Sequence, residues 1–493
     1  MTSVLDLGAH DGFIGAWLLS RDPSLSLDGV ELEPRGVAEC QRRGYRKVVQ
    51  GFAEDAAEHF EPGSYDVVFA AELIEHVPDV QRLLTVCERM VKPTGLVVLT
   101  TPDGTFGTGN NHHHLRVYRS IDLAELLRRR GDLHRMAVGV DGLTLAAYRP
   151  KARRGELAIH AGAGWMRWAP QDIETKGLGG SETAAVKLAH ALSELGWVVT
   201  VYGDVEQGCH QNVIFRHHET FDPLTPRDVL ISSRLPELFD RPVNATHKLL
   251  WMHDTDAGAR LTLERAKHID HVLTLSSWHA RHVGELYPFL GDKVAQVRNG
   301  LDLELYSMNG NAPKRRKQVA YTSSPDRGLD LLLELWPQVR ERVKGAELHF
   351  AYAPVYFEIA EKDPVVGAHA QKISELAKQP GVKALGSLSQ PDVAKLLCSS
   401  LVWCCPSYST PHDTPFMETS CIGAMEAQAA GCAVVASNWG ALPETVRVGS
   451  LIDADPKGEA WKRCFVEAIV RGLTNSDVQR DAQEKGPEAV AGL

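Results

Sequence analysis

A chain of 493 residues is too long for one hydrophobic core and is expected to fold as about three domains. Its 44% apolar and 24% charged residues are those of an ordinary globular protein. A net charge of −10 leaves no electrostatic footprint for a long nucleic acid and no basic face for a membrane. Nine cysteines without a CxxC pair suit a reducing compartment, and "MTSVLDLG" lacks the basic and then apolar stretches of a leader. No run approaches the about 18 apolar residues of a membrane span. A cytoplasmic location is therefore expected.

From residue 3 to about 150, short apolar runs ("VLDLG", "LDGVEL", "KVVQG", "DVVFAA", "GLVVLTT") alternate with helical stretches such as "DVQRLLTVCERMVK". That rhythm predicts βαβ units and a parallel sheet. "HRMAVGV" and "LTLAAYR" flank "DG", which predicts a hairpin and an antiparallel edge. Pro150 and a basic cluster then mark a linker. The α/β rhythm restarts at "LAIHAG" and continues through "GWVVTVYG", "DVLIS", "HKLLWMH" and "HVLTLS"; the polar "NGNAPKRRKQ" (309–318) marks a second break. Beyond it follow "VAYTSS", "ELHFAYA", "LVWCCPS" and "AVVASN". Three α/β domains in series are expected, over 1–150, 155–308 and 315–493.

In "VLDLGAHDGFIG", Gly8 and Gly12 let backbone pass close to a ligand at a strand-to-helix turn. Nineteen residues after Gly12, Glu31 ends the next strand, where a carboxylate can accept both hydroxyls of a ribose. In "ELIEH", Glu72, Glu75 and His76 share one face if a helical turn begins there. They form either a solvated surface or a ligand cluster.

With Asp6, "GFAED" (51–55), "AAELIEHV" and "RMVKPTGLVVLTTP", these motifs make residues 3–150 resemble the class I S-adenosylmethionine-dependent methyltransferases. The resemblance implies a Rossmann-like domain in which Asp6 and the glycine turn face the methionine part, Glu31 binds the ribose and Glu54 lies near the adenine. Two departures are His10, in place of a usual middle glycine, and Phe52, in place of a commoner acid. The chain also begins at the first strand, without the N-terminal helix that often covers such a site. The ExxEH pattern looks like the metal-dependent O-methyltransferases. Glu72, Glu75 and His76, with His114 from "NNHHHLRVY" (His112 to His114), then become candidate ligands for Mg²⁺, Mn²⁺ or Zn²⁺. Glu75 and His76 are also candidate catalytic groups. The other reading is that His76 orients or packs, and the histidine run is a solvated loop.

"KGLGGSETAAVKLAHALSELG" opens a long helix with Leu188, Leu192 and Leu195 on one face, and Gly179 and Gly180 allow close backbone approach to a diphosphate or sugar oxygen. Far downstream, Glu418 and Glu426 stand eight apart in "FMETSCIGAMEAQAAGC". Such a pair can hold a hexose by the first acid and a nucleotide ribose by the second. In order, "GGSE", "WMHDT", "VRNGLD", "DRGLDLLLELW" and this two-glutamate motif resemble the retaining, GT4-like glycosyltransferases of the GT-B fold, across residues 155 to about 490.

That resemblance implies two further Rossmann-like domains and a nucleotide-sugar donor. Gly180 contacts the donor phosphate or sugar, His253 reaches the transferred sugar, Arg327 neutralises diphosphate, Glu418 grips sugar hydroxyls and Glu426 takes the ribose. Ser323 stands where the family commonly has a second cation, which implies either a weaker clamp on the leaving group or compensation by another basic residue such as Lys176 or Arg298, and "SC" (Ser420, Cys421) replaces a usual phenylalanine and glycine. The whole reads as a bifunctional enzyme that acts on a glycan-type hydroxyl acceptor. The alternative keeps the glycosyltransferase and makes the N-terminal domain a docking module.

Overall fold

The computed structural model describes residues 2–105, 113–139, 142–151, 154–164, 167–309, 317–352, 355–408, 411–414, 416–453 and 458–492. By packing, the chain divides into two compact units. One is Met1–Glu156 with His190–Thr200 and Gln207–Phe215; the other is Leu157–Ala189 with Val201–Glu206 and Arg216–Leu493. The turn residue Asp141, part of the basic linker and most of 309–318 lie outside the described residues.

The first unit is built on seven strands, β1 (Ser3–Leu7), β2 (Ser26–Glu31), β3 (Lys47–Gln50), β4 (Tyr65–Ala71), β5 (Val91–Pro102), β6 (Gly131–Val138) and β7 (Leu143–Pro150). Their order is β3-β2-β1-β4-β5-β7-β6. The first five are parallel, while β7 runs antiparallel to β5 and β6 to β7, which is the edge hairpin the sequence predicts. Helices cover both faces, so β1 and β2 are buried almost without alternation, with Leu5, Leu7 and Val30 closed to solvent, while β5 alternates and buries Val97 and Leu99. The strand order reverses between β1 and β4, the place where a doubly wound sheet opens a crevice at its carboxyl ends.

Arg130, at the end of helix Ser120–Arg130, is 4% exposed. Its guanidinium donates to both oxygens of Glu88 (2.6 and 3.0 Å), to Gln81 (2.6 Å), to Thr85 (3.0 Å) and to Asn212. Burying a guanidinium is costly, and such a full set of acceptors offsets that cost.

The next strands are β8 (Gly155–Gly162), β9 (Trp197–Gly203), β10 (Gly208–His210), β11 (Val213–His217), β12 (Arg227–Ser233), β13 (Ala245–Trp251), β14 (His271–Thr274) and β15 (Val294–Gln296). They are ordered β10-β11-β9-β8-β12-β13-β14-β15. The last sheet, β18-β17-β16-β19-β20-β21, contains β16 (Gln318–Tyr321), β17 (Glu347–Phe350), β18 (Val382–Ala384), β19 (Val402–Cys405), β20 (Ala433–Ser437) and β21 (Gly449–Ile452), all parallel. It packs on Trp336, Trp461 and Phe465, each fully buried. Together these are the Rossmann-like methyltransferase fold and the paired sheets of a GT-B fold. Among the described residues no helix is long and apolar enough to cross a membrane.

One helix buries a different face from the one its leucines mark. In Gly180–Glu194 the buried residues are Ala185, Val186 and Ala189, while Leu188 and Leu192 are half-buried and Leu195 lies past the end, 56% exposed.

Candidate active sites

At the carboxyl end of β1, Gly8 and Gly12 both take φ 75° and His10 takes φ 49°. The turn therefore requires left-handed backbone at three places. His10 accepts that conformation with its side chain in solvent. Its amide donates to Glu31 Oε2 (2.7 Å) and the Glu33 amide donates to Glu31 Oε1 (2.9 Å), so a 7% exposed carboxylate is fixed by one backbone donor per oxygen. Asp6 is 2% exposed and accepts from the Tyr45 hydroxyl (2.5 Å). Burial pushes its pKa up to about 7; the Tyr45 bond pulls it back and Glu31 adds to the rise. Tyr45 carried no signal in the sequence, because only the fold brings helix Pro34–Arg42 and the turn after it to the end of β1. Glu54 lies half-buried in the short 3₁₀ helix Ala53–Glu58, and Phe52 before it is 59% exposed.

"ELIEH" is a turn, not the start of a helix. Glu72 has φ 47° and is exposed, and its amide is taken by the Thr100 carbonyl (2.9 Å) as the chain leaves β4. A left-handed residue at that point breaks the shared helical face, so Glu72 falls outside the cluster. Glu75, His76 and His114 do converge, with ligand atoms within 4.8 Å of one another. His76 Nδ1 lies 3.0 Å from the His113 carbonyl, the His76 and His114 rings meet edge to face at 4.8 Å, and the Glu75 carbonyl accepts from Leu115 (2.8 Å). His112 lies outside the described residues. Glu75 is 1% exposed, and the Thr101 hydroxyl approaches its carboxylate without completing a hydrogen bond of normal geometry. Burial raises its pKa, against the pull of a backbone amide and the two imidazoles. A buried, under-bonded carboxylate beside two imidazoles fits a small divalent cation.

In the second unit, Gly180 begins its helix with open space where a side chain would stand, and Gly179 is crowded by Glu182 Oε2. His253 follows β13, its ring 4.2 Å from that of Trp251 and its Nε2 buried without a hydrogen-bond partner. Burial, then the charge of Arg234, pushes its pKa down to about 3, so the ring is neutral at physiological pH. The sequence reading missed Arg234, an ordinary arginine at the end of β12. Held at φ 69°, it grips Asp254 with two bonds (2.8 and 2.9 Å) and reaches Ser181 Oγ (3.2 Å). With His253, Asp254 and Arg260 it lines a small cavity.

Glu418 is 7% exposed and pairs with Arg327 at 3.4 Å, while the Arg327 guanidinium stacks 3.7 Å above the Phe416 ring. The neighbouring Thr419 hydroxyl donates to the His253 carbonyl (2.9 Å), so the loop bearing Glu418 and the segment bearing His253 are joined directly. Glu426 lies on helix Ile422–Ala429, 6% exposed. Burial raises its pKa to about 7, against the pull of the Tyr306 and Gln390 side chains. Of the two substitute cations, Lys176 pairs with Asp172 (3.2 Å) and Arg298 with Glu444 (3.5 Å). Glu444 also accepts from the amides of Ser277 (2.9 Å) and Trp278 at the start of helix Ser277–Leu286.

Residues 5–99 match the methyltransferase domain family, and residues 316–475 match the family of glycosyl transferases group 1. The ubiquinone biosynthesis O-methyltransferase of Dechloromonas aromatica is 35% identical over 104 residues, which are 20% of this chain and 43% of that protein. That of Burkholderia thailandensis is 27% identical over 179 residues, 31% of this chain and 72% of that one. The chain thus spans less than half the length of the first curated relatives it matches. Among solved structures, sucrose-phosphate synthase from Thermosynechococcus elongatus aligns at 16% identity and TM-score 0.49, over 69% of this chain and 95% of that one. A SAM-dependent methyltransferase from Thermotoga maritima, a possible histamine N-methyltransferase, aligns at 18% identity and TM-score 0.26, over 31% of this chain and 83% of that one. The chain is a fusion, with a domain of the methyltransferase family near its N-terminal end and one of the group 1 glycosyl transferases in its C-terminal part.

Proposed function

We propose that the chain is a bifunctional enzyme that transfers a sugar from a nucleotide-sugar to a glycan-type hydroxyl, with retention of configuration, and methylates a sugar oxygen. Residues 1–150 are then the methyltransferase domain, 155–308 the acceptor-binding part and 315–493 the donor-binding part of a GT4-like glycosyltransferase. The observation that carries the glycosyl half is the pairing of Glu418 with Arg327, one residue from the Thr419 bond to His253. In this reading Arg327 neutralises the leaving diphosphate, with helix amides supplying the rest of the stabilisation. Phe416 holds the guanidinium flat. Glu418 accepts from the sugar hydroxyls, and the neutral His253 offers its unpartnered Nε2 to the transferred sugar.

For the other half, the Glu31 carboxylate, set by the His10 and Glu33 amides, accepts the ribose hydroxyls of S-adenosylmethionine. The cofactor supplies the methyl group. Glu75, His76 and His114 would hold a divalent cation, which would supply the Lewis acidity that lowers an acceptor hydroxyl's pKa. The exposed Phe13, Trp17 and Phe52 favour a second reading, in which this domain only docks an apolar partner.

A thermal-shift matrix separates the readings: S-adenosylhomocysteine with and without Mg²⁺, Mn²⁺ or Zn²⁺, crossed with UDP, GDP, ADP and dTDP. Saturation at about 100-fold the Kd stabilises the binding unit by roughly 2.7 kcal/mol. Separate shifts from S-adenosylhomocysteine and from one nucleotide support two active sites. A nucleotide shift alone would leave the docking reading standing.

A further inference from the structure

The buried groups around Glu418 include two that the proposed chemistry does not use. Cys405 ends β19, and Cys421 immediately precedes helix Ile422–Ala429. Their sulfurs and a Glu418 oxygen lie within 4.8 Å of one another, and all three residues are buried. Cys421 occupies this place at φ 59°, in the left-handed region that favours glycine. A side chain is therefore kept where its absence would fit the backbone better.

We propose that Cys405, Glu418 and Cys421 form a binding site for one thiophilic divalent cation of the Zn²⁺ class. Two sulfurs and a carboxylate are a soft donor set suited to zinc, with bonds of about 2.0 to 2.3 Å, and three protein ligands leave a fourth position open. Three donors already within 4.8 Å need only small side-chain movements to close on such an ion. The charges also balance. Two thiolates and one carboxylate bring three negative charges against the cation's two positive ones, and Arg327, 3.4 Å from Glu418, supplies the remaining positive charge. Both thiols must lose a proton as the cation enters, so two protons leave per ion bound and affinity rises with pH. Capture of Glu418 would block donor binding; this consequence, unlike binding itself, rests on the role given to Glu418 above.

The test titrates the full-length, reduced protein with Co²⁺ and follows the near-ultraviolet sulfur-to-cobalt charge-transfer band. That band reports thiolate ligation and is silent for a Glu75, His76 and His114 site. The expected result is a thiolate band whose full intensity corresponds to one Co²⁺ at the cysteine site, in addition to any Co²⁺ held silently by Glu75, His76 and His114, with displacement by Zn²⁺ and a band that fades as pH falls. Cys405→Ser should lose most of the band. So should Cys421→Gly, whose substituted residue suits φ 59° and keeps the fold. Glu75→Gln should leave it unchanged. A wild-type protein with no band, or a band of full intensity in both cysteine variants, would overturn the proposal whether or not glycosyl transfer is detected.

Discussion

Glu426→Gln should make the protein more stable and less active at once. The Glu426 carboxyl is buried and its pKa stands near 7, against an ordinary glutamate value of 4.5. At about 1.4 kcal/mol per pH unit, the full penalty for ionising it in the folded chain is about 3 kcal/mol. Below pH 4.5 both folded and unfolded chains hold the proton and nothing is lost. Between 4.5 and about 7 the folded chain keeps a proton that the unfolded chain releases, so stability falls as pH rises; above 7 the whole penalty is present. Glutamine fills the same space without the charge. Its advantage over wild type should grow from about 1 kcal/mol at pH 5.5 to about 3 kcal/mol at pH 8. Urea denaturation at the two pH values reads this directly. The same change removes a charged acceptor for the ribose hydroxyls, worth about 1.5 to 3 kcal/mol per bond, so kcat/KM for the donor should drop by one to two orders of magnitude, mostly through KM. An advantage that stays constant or shrinks between pH 5.5 and 8 would refute the electrostatic account. An unchanged kcat/KM would refute the ribose assignment.

Three other outcomes follow from the sites. Glu75→Gln should abolish any metal enhancement of methyl transfer while leaving S-adenosylhomocysteine affinity within about threefold, since it spares the Glu31 contacts; calorimetric binding and a metal-dependence curve measure both. With the His253 pKa near 3, glycosyl transfer should show no ionisation from this residue between pH 5 and 8, and a limb near 6.5 in wild type that vanishes in His253→Asn would contradict the buried, neutral ring. Arg130→Ala leaves Glu88, whose side chain is 14% exposed, with the Tyr148 hydroxyl as its remaining side-chain donor and empties a buried position, and should cost about 3 kcal/mol of the first unit's stability, read from its urea transition.

The sheets were legible because each strand is an apolar run bounded by turn residues, and burial on both faces demands that pattern. "VLDLG", "DVVFAA" and "AVVASN" each became a central strand. Glu31 ends β2, Glu418 lies in the loop before helix Ile422–Ala429 and Glu426 within that helix, the places that their spacing from the glycine turn and from each other indicates. Three features did not follow from spacing. Glu72 left its group because one residue adopts φ 47°, a choice made by the Thr100 carbonyl across the sheet and not by its neighbours in sequence. The buried face of Gly180–Glu194 follows Ala185, Val186 and Ala189 and not the leucine spacing, because tertiary contacts decide which side of a helix is covered. Arg234, Tyr45 and the Cys405 and Cys421 pair carry no local pattern; they matter through neighbours that only folding supplies.

Glu444 holds two segments together by charge. Its carboxylate ties the segment after β20 to the first amides of helix Ser277–Leu286 and to Arg298, through contacts that are charged, partly exposed and few. Attraction between a carboxylate and a helix start weakens with salt, within a Debye length of about 8 Å at physiological ionic strength. If the proposed glycosyl transfer ends in an opening between these segments, release of the spent nucleotide would part those contacts, and the rate of product escape would depend on ionic strength. Turnover would then quicken with moderate salt at saturating donor, even as salt weakens the grip on the diphosphate.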